Sequence, residues 1–99
     1  MAKREPDRKT EYLFRGILSL KTVEECRAFF DDICTITELI DMSNRLTAAK
    51  MLSDEATYTD VIEKTGLSTA TISRVNRSLN YGNDGYEMIF QRLSEVVQA

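Results

Sequence analysis

The sequence predicts an all-α fold of six helices. Three observations carry that prediction. Proline occurs once, at position 6, the four glycines fall at expected helix ends or turns, and no long stretch alternates apolar with polar residues. At 99 residues with 42% hydrophobic content, the chain has material for a single small domain with one core.

The first helix covers about Asp7 to Ser19, where Tyr12, Leu13, Phe14, Ile17 and Leu18 give a broad apolar face. Thr22 and Glu25 have the spacing of a capping box, which opens a second helix carrying Val23, Cys26, Phe29, Phe30 and Ile33 inward. A third helix spans roughly Thr35 to Leu52. Its apolar set, Ile36, Leu39, Ile40, Met42, Leu46, Ala49, Met51 and Leu52, is wider than packing against one neighbour needs.

The stretch 57–79, TYTDVIEKTGLSTATISRVNRSL, spells a helix-turn-helix. Thr57 caps a short helix, with Asp60 answering in a capping box, and Val61 and Ile62 lie on its buried side. Gly66 ends that helix because a residue without a Cβ takes the left-handed conformation of a tight reversal. Leu67 plugs the corner. Ser68 caps the next helix, 69–80, whose inward residues Ile72, Val75 and Leu79 recur three and four apart. Its other face is short and polar: Thr69, Ala70, Ser73 and Arg74 crowd the amino-terminal end, which enters the major groove in this motif. A sixth helix follows the turn from Tyr81 to Gly85, capped by Asn83 or Asp84, with Met88, Ile89, Leu93 and Val96 or Val97 on one side.

Thirteen Lys plus Arg against sixteen Asp plus Glu leave a net charge of −3, which argues against a polyanion partner until its distribution is considered. Between Ser68 and Tyr81 there are two arginines, Arg74 and Arg77, and no acid, whereas residues 11–55 hold nine acids and five bases. The candidate reading helix is locally positive. Two arginines neutralise few phosphates, so one subunit binds weakly and a dimer doubles the contacts. Lys3, Arg4, Arg8 and Lys9 can add phosphate contacts as an arm or form a solvated tail.

Excess apolar surface on the first three helices predicts a two-fold homodimer; the competing reading is a compact monomer closed around the same helices. Residues 1–99 then form one domain, in which 1–56 mainly dimerise, 57–80 form the helix-turn-helix and 81–99 the carboxyl-terminal turn and helix. Two heads one turn of DNA apart, roughly 34–36 Å, match a palindromic site.

Catalysis finds little support, since there is no His, no glycine-rich phosphate loop, and only two cysteines, eight residues apart. The acid pairs Glu24 with Glu25, Asp31 with Asp32 and Asp54 with Glu55 are sequence neighbours that point about 100° apart on a helix. Cys26 and Cys34 read as reduced core thiols. Tyr81 and Tyr86 flank the turn after the reading helix and are expected to pack against the sixth helix. No apolar run reaches membrane-spanning length and no signal-peptide block follows the charged start, so a cytoplasmic protein without membrane contact is expected.

The run Ala70, Thr71, Ile72, Ser73, Arg74, followed by Ser78 and Leu79, resembles the recognition helix of the Trp repressor superfamily. The order of helices on both sides agrees, and the whole chain is similar to the YerC/YecD-type, Trp repressor-related proteins of bacteria. This resemblance implies an intertwined homodimer, binding double-stranded DNA as a transcriptional regulator, in which the first three helices and the last interlock while the helix-turn-helix projects. It also implies that Thr69, Ala70 and Ser73 face bases, that Thr71, Arg74 and Arg77 face phosphate, and that Tyr58, Thr59 and Ser68 lie at the DNA interface. Ile62 replaces a basic phosphate contact of that family.

For a corepressor, the resemblance matches Arg74 to a carboxylate-binding arginine and Ser78 to a partner of the ligand amino group. A second arginine that would sandwich an indole falls at Asn44 in an ungapped alignment, with Arg45 one residue further on. Val75 stands where the family has a glycine that makes room for the ring. Tight tryptophan binding is therefore not expected, no cofactor is implied, and a different small corepressor stays open. The rival from another class is a protein-interaction module that uses the same helices without DNA.

Overall fold

Helix boundaries in the computed structural model, which describes residues 7–98, follow the capping residues. Six helices form: α1 (Arg8–Leu18), α2 (Val23–Ile33), α3 (Ile36–Ser53), α4 (Tyr58–Thr65), α5 (Thr69–Tyr81) and α6 (Gly85–Gln98), with no strand among the described residues. Backbone contacts divide the chain into two units, residues 1–39 and 40–99. Lys3 and Arg4, half of the expected basic arm, lie outside the described residues.

In the first unit, the Asp7 carboxylate accepts hydrogen bonds from the Lys9 N–H at 3.1 Å and the Thr10 hydroxyl at 3.2 Å, which satisfies donors that an open helix start leaves bare. Thr22 caps α2 by accepting from the Glu25 N–H at 3.0 Å. The Glu25 carboxylate returns to the Lys21 N–H, at 2.8 Å, one residue before the position a standard capping box uses. A complete box opens α3: Thr35 Oγ1 accepts from the Glu38 N–H at 3.1 Å, and the Glu38 carboxylate accepts from the Thr35 N–H at 2.8 Å. Hydrogen bonding of the Glu38 carboxylate by Thr35, through its backbone N–H first and its hydroxyl second, holds the carboxyl below its ordinary pKa because it favours the charged form.

The inward faces expected of α1 and α2 are not covered within one chain. Neither helix contains a buried residue, and Tyr12, Leu18 and Ile36 are 82%, 83% and 79% exposed. Cys26, Phe29 and Phe30 are half-buried, with the two rings edge to face at 5.3 Å, whereas Val23 and Ile33 are exposed. Cys26 and Cys34 are free thiols, half-buried rather than in a core.

The second unit holds the core. Ala48 and Ala49 of α3, Val61 of α4, and Ile72 and Val75 of α5 are buried together, with Met51, Leu52, Ala56, Leu67, Tyr86 and Phe90 packed against them. Burying each large aliphatic side chain contributes about 1.5–3 kcal/mol. Ala48 and Ala49 are the part of α3 that this cluster buries. Ile62, expected beside Val61 in the core, is 38% exposed, because neighbours on a helix diverge by about 100° and only Val61 fits the inward direction.

α3 ends in a Schellman-type turn, with the Ala56 N–H bonded to the Met51 carbonyl at 3.0 Å and Glu55 in the left-handed region at φ 66°. At the start of α6, Asp84 takes the cap position at φ 62°, its carbonyl accepting from the Met88 N–H at 3.0 Å. The expected apolar side of α6 is partly corrected. Met88, Ile89 and Leu93 are exposed, and the packing comes from Tyr86 and Phe90, whose rings stack at 6.2 Å and 19°. The side chains of Val96 and Val97 lie outside those described. Tyr81, expected to pack on α6, is 84% exposed.

Candidate nucleic-acid interface

The reading pair is built from its turn outward. Thr57 Oγ1 accepts from the Asp60 N–H at 3.1 Å and so caps α4. The chain reverses at Gly66, φ 72°, whose N–H bonds the Ile62 carbonyl at 2.8 Å. A Cβ there would meet nothing within 4 Å, so the backbone angle, not space, calls for glycine. Thr65 locks the same corner: its hydroxyl donates to the Val61 carbonyl at 2.7 Å and accepts from the Leu67 N–H at 3.2 Å. The sequence marks this residue only by a hydroxyl directly before the terminating glycine.

Ser68 caps α5, accepting from the Thr71 N–H at 3.1 Å and donating to the Thr71 hydroxyl at 3.1 Å. Ile72, Val75 and half-buried Leu79 then fix the roll of the helix, and a helix advances about 100° per residue, which sets Ala70 and Arg77 opposite that core side. Thr69, Ser73 and Arg74 flank them, all exposed. The outward side of α5 thus begins as a small, polar, acid-free surface at Thr69, Ala70 and Ser73 and continues to Arg77 in the second half of the helix. Tyr58 and Thr59, in the first turn of α4, and Ser68 are exposed as well. Further along α5, the Asn80 amide donates to the Asn76 carbonyl at 2.9 Å.

Thr71 is half-buried on the flank of α5 and lines a pocket of about 170 Å³ with Arg45, Arg74, Val75, Ser78 and Tyr86, all within residues 40–99. This hollow brings Arg74 and Ser78 together with Arg45; Asn44 is not among its lining residues. Arg74 therefore sits on the border between the outward face and the pocket. Tyr86, absent from the expected site, forms one wall. Among the described residues no group of three or more His, Cys, Asp or Glu is placed to hold a metal ion, and no helix is long and apolar enough to cross a membrane.

An all-α chain whose core-anchored helix pair presents such a face is a helix-turn-helix protein. The profile of the Trp repressor protein family matches residues 8–94, and the chain belongs to that family. It is 53% identical over 89 residues to the uncharacterized protein YerC of Bacillus subtilis, covering 90% of this chain and 86% of that one. Among solved structures, a TrpR-like protein from Eubacterium eligens superposes with a TM-score of 0.87 at 58% identity, covering 89% of this chain and 91% of its own. A Trp repressor candidate from Staphylococcus aureus gives 0.86 at 47% identity, covering 90% and 89% respectively.

Proposed function

We propose that this protein is a DNA-binding transcriptional regulator, acting in the bacterial cytoplasm as a homodimer that represses by occupying a two-fold symmetric site. The observation that carries this proposal is the outward face of α5, where Thr69, Ala70, Ser73 and Arg77 project opposite the core with no acid on the helix. Short side chains bring the backbone near base edges, and Arg74 and Arg77 supply phosphate contacts. Tyr58, Thr59 and Ser68 lie beside them as contacts from α4 and the turn.

Dimerisation is part of the proposal, supported by the family and by the uncovered faces of α1 and α2. An apolar groove of about 550 Å³ bounded by Leu46, Met51, Phe90 and Leu93 adds further surface for a second copy. Val75 beside Arg74 argues against tryptophan as the corepressor, since its branched side chain takes space at the pocket wall.

Selection of bound genomic fragments by the purified protein, followed by a titration of the best fragment, tests the function. Arg77→Ala with Arg74→Ala should abolish binding while the fold and the dimer persist. Affinity for every fragment left unchanged by that pair would refute DNA reading in favour of a protein partner.

A further inference from the structure

Tyr86 borders two hollows beside α5. One is the 170 Å³ pocket at Arg45 and Arg74; the other, of about 400 Å³, is bounded by Leu46, Gly82, Asn83 and Ile89, and both Tyr86 and Ser78 line each of them. The ring is held from behind. It stacks on Phe90, Lys50 Nζ lies 5.7 Å from the Phe90 ring centre, and both aromatic side chains pack against the cluster that contains Ile72 and Val75 of α5.

On its pocket flank α5 offers Thr71, Arg74, Val75 and Ser78, and Tyr86 is the aromatic side chain that meets them there. Ile72, Val75 and Leu79 fix the roll of α5 along one line, so a contact off that line, on the flank, bears on its pitch. Tyr86 is the large rigid group beside this flank, and a planar ring has few rotamers to lose on being fixed.

We propose that Tyr86 is a positioning residue for DNA reading: a wedge supplied by the chain itself that sets the pitch of α5 on α6, so that affinity for DNA requires no small aromatic ligand. The proposal rests on the DNA-reading role of α5. If truncation of the ring lowers the share of molecules in the reading pose to about a tenth, apparent affinity falls about tenfold. Removing the ring also leaves a ring-sized space beside Phe90, with apolar packing on one side and Arg45, Thr71, Arg74 and Ser78 on the other, which suits a small phenol.

The test measures binding of wild type, Tyr86→Phe and Tyr86→Ala to the selected DNA fragment, with and without millimolar p-cresol, alongside circular dichroism and sedimentation. Wild type should bind equally with and without L-tryptophan, and Tyr86→Phe should match it because the ring is kept. Tyr86→Ala should lose about tenfold in affinity with helicity and mass retained, and p-cresol should restore most of the loss. Retained affinity in Tyr86→Ala, or a loss that p-cresol leaves untouched, overturns the wedge. Should Tyr86→Ala fail to fold, Tyr86→Leu, which keeps apolar bulk without the planar ring, decides by the same two readouts. A wild-type protein that binds no DNA overturns the reading role of α5 and the wedge with it, whereas the other outcomes leave that role standing.

Discussion

Gly66 and Glu55 sit in the same left-handed region of backbone space, at φ 72° and 66°, and pay differently for it. Gly66 has no Cβ to clash with its own carbonyl, whereas Glu55 carries that strain at the end of α3. Opposite substitutions should therefore have opposite effects. Gly66→Ala should cost about 1–2 kcal/mol, although the space around it is empty. Glu55→Gly should gain up to about 1 kcal/mol, visible as a rise in melting temperature of about 4–8 °C at most for a domain of this size. Thermal melts of the two variants beside wild type check both signs. At this scale Arg77 and Arg74 are also unequal. Arg77 stands on the outward face alone, while Arg74 borders the pocket, so Arg77→Ala should shorten the salt dependence of DNA binding by about two phosphate contacts per dimer, one from each subunit, read from the slope of log affinity against log salt.

At the scale of elements, the box at the start of α3 supplies a pH-dependent bond. Glu38 is lowered in the folded state, so its contribution is present above the ordinary carboxylate range and is lost as pH falls through the lowered folded value. Far-UV melts from pH 7 down to pH 3 should show wild type losing stability relative to Glu38→Gln across that window, with no difference in slope between the two near neutral pH. The same helix illustrates what sequence alone discloses. Caps at Thr22, Thr57, Ser68 and Gly66 were legible because they rest on local chemistry within a few residues. So was the inward line Ile72, Val75, Leu79, which periodicity defines. The lodging of Tyr86 under α5 was not legible, since it depends on the angle at which α6 returns from a turn with Asp84 at positive φ. Nor could spacing choose between Asn44 and Arg45 at the pocket: one residue is a rotation of about 100°, and only the packing of Ala48 and Ala49 fixes the roll of α3. Ile62 departs from its expected buried position for the same reason, since two adjacent apolar residues leave the centre of the inward face undefined.

For the whole molecule, the contrast between the two units governs behaviour in solution. Residues 40–99 enclose the buried cluster, while α1 and α2 contain no fully buried residue within a single chain. In the proposed dimer a second copy covers those helices and binds only the folded state, so melting temperature should climb with protein concentration. Sedimentation equilibrium at micromolar concentration should return twice the 11.3 kDa chain mass, and a single-chain mass there would refute the dimer. Leu18→Glu, at an exposed apolar position on α1, should shift the equilibrium toward the single chain and flatten the concentration dependence. The locked corner of the helix pair bears on how such a protein changes over evolutionary time. Thr65, Gly66 and the buried residues hold α5 from behind, and Thr69, Ala70, Ser73 and Arg77 take no part in that support. Substitutions at those four positions can be tried nearly free of stability cost, within about 0.5 kcal/mol. A gene duplicate could thus acquire a new target sequence by a few surface changes, without first acquiring a new fold.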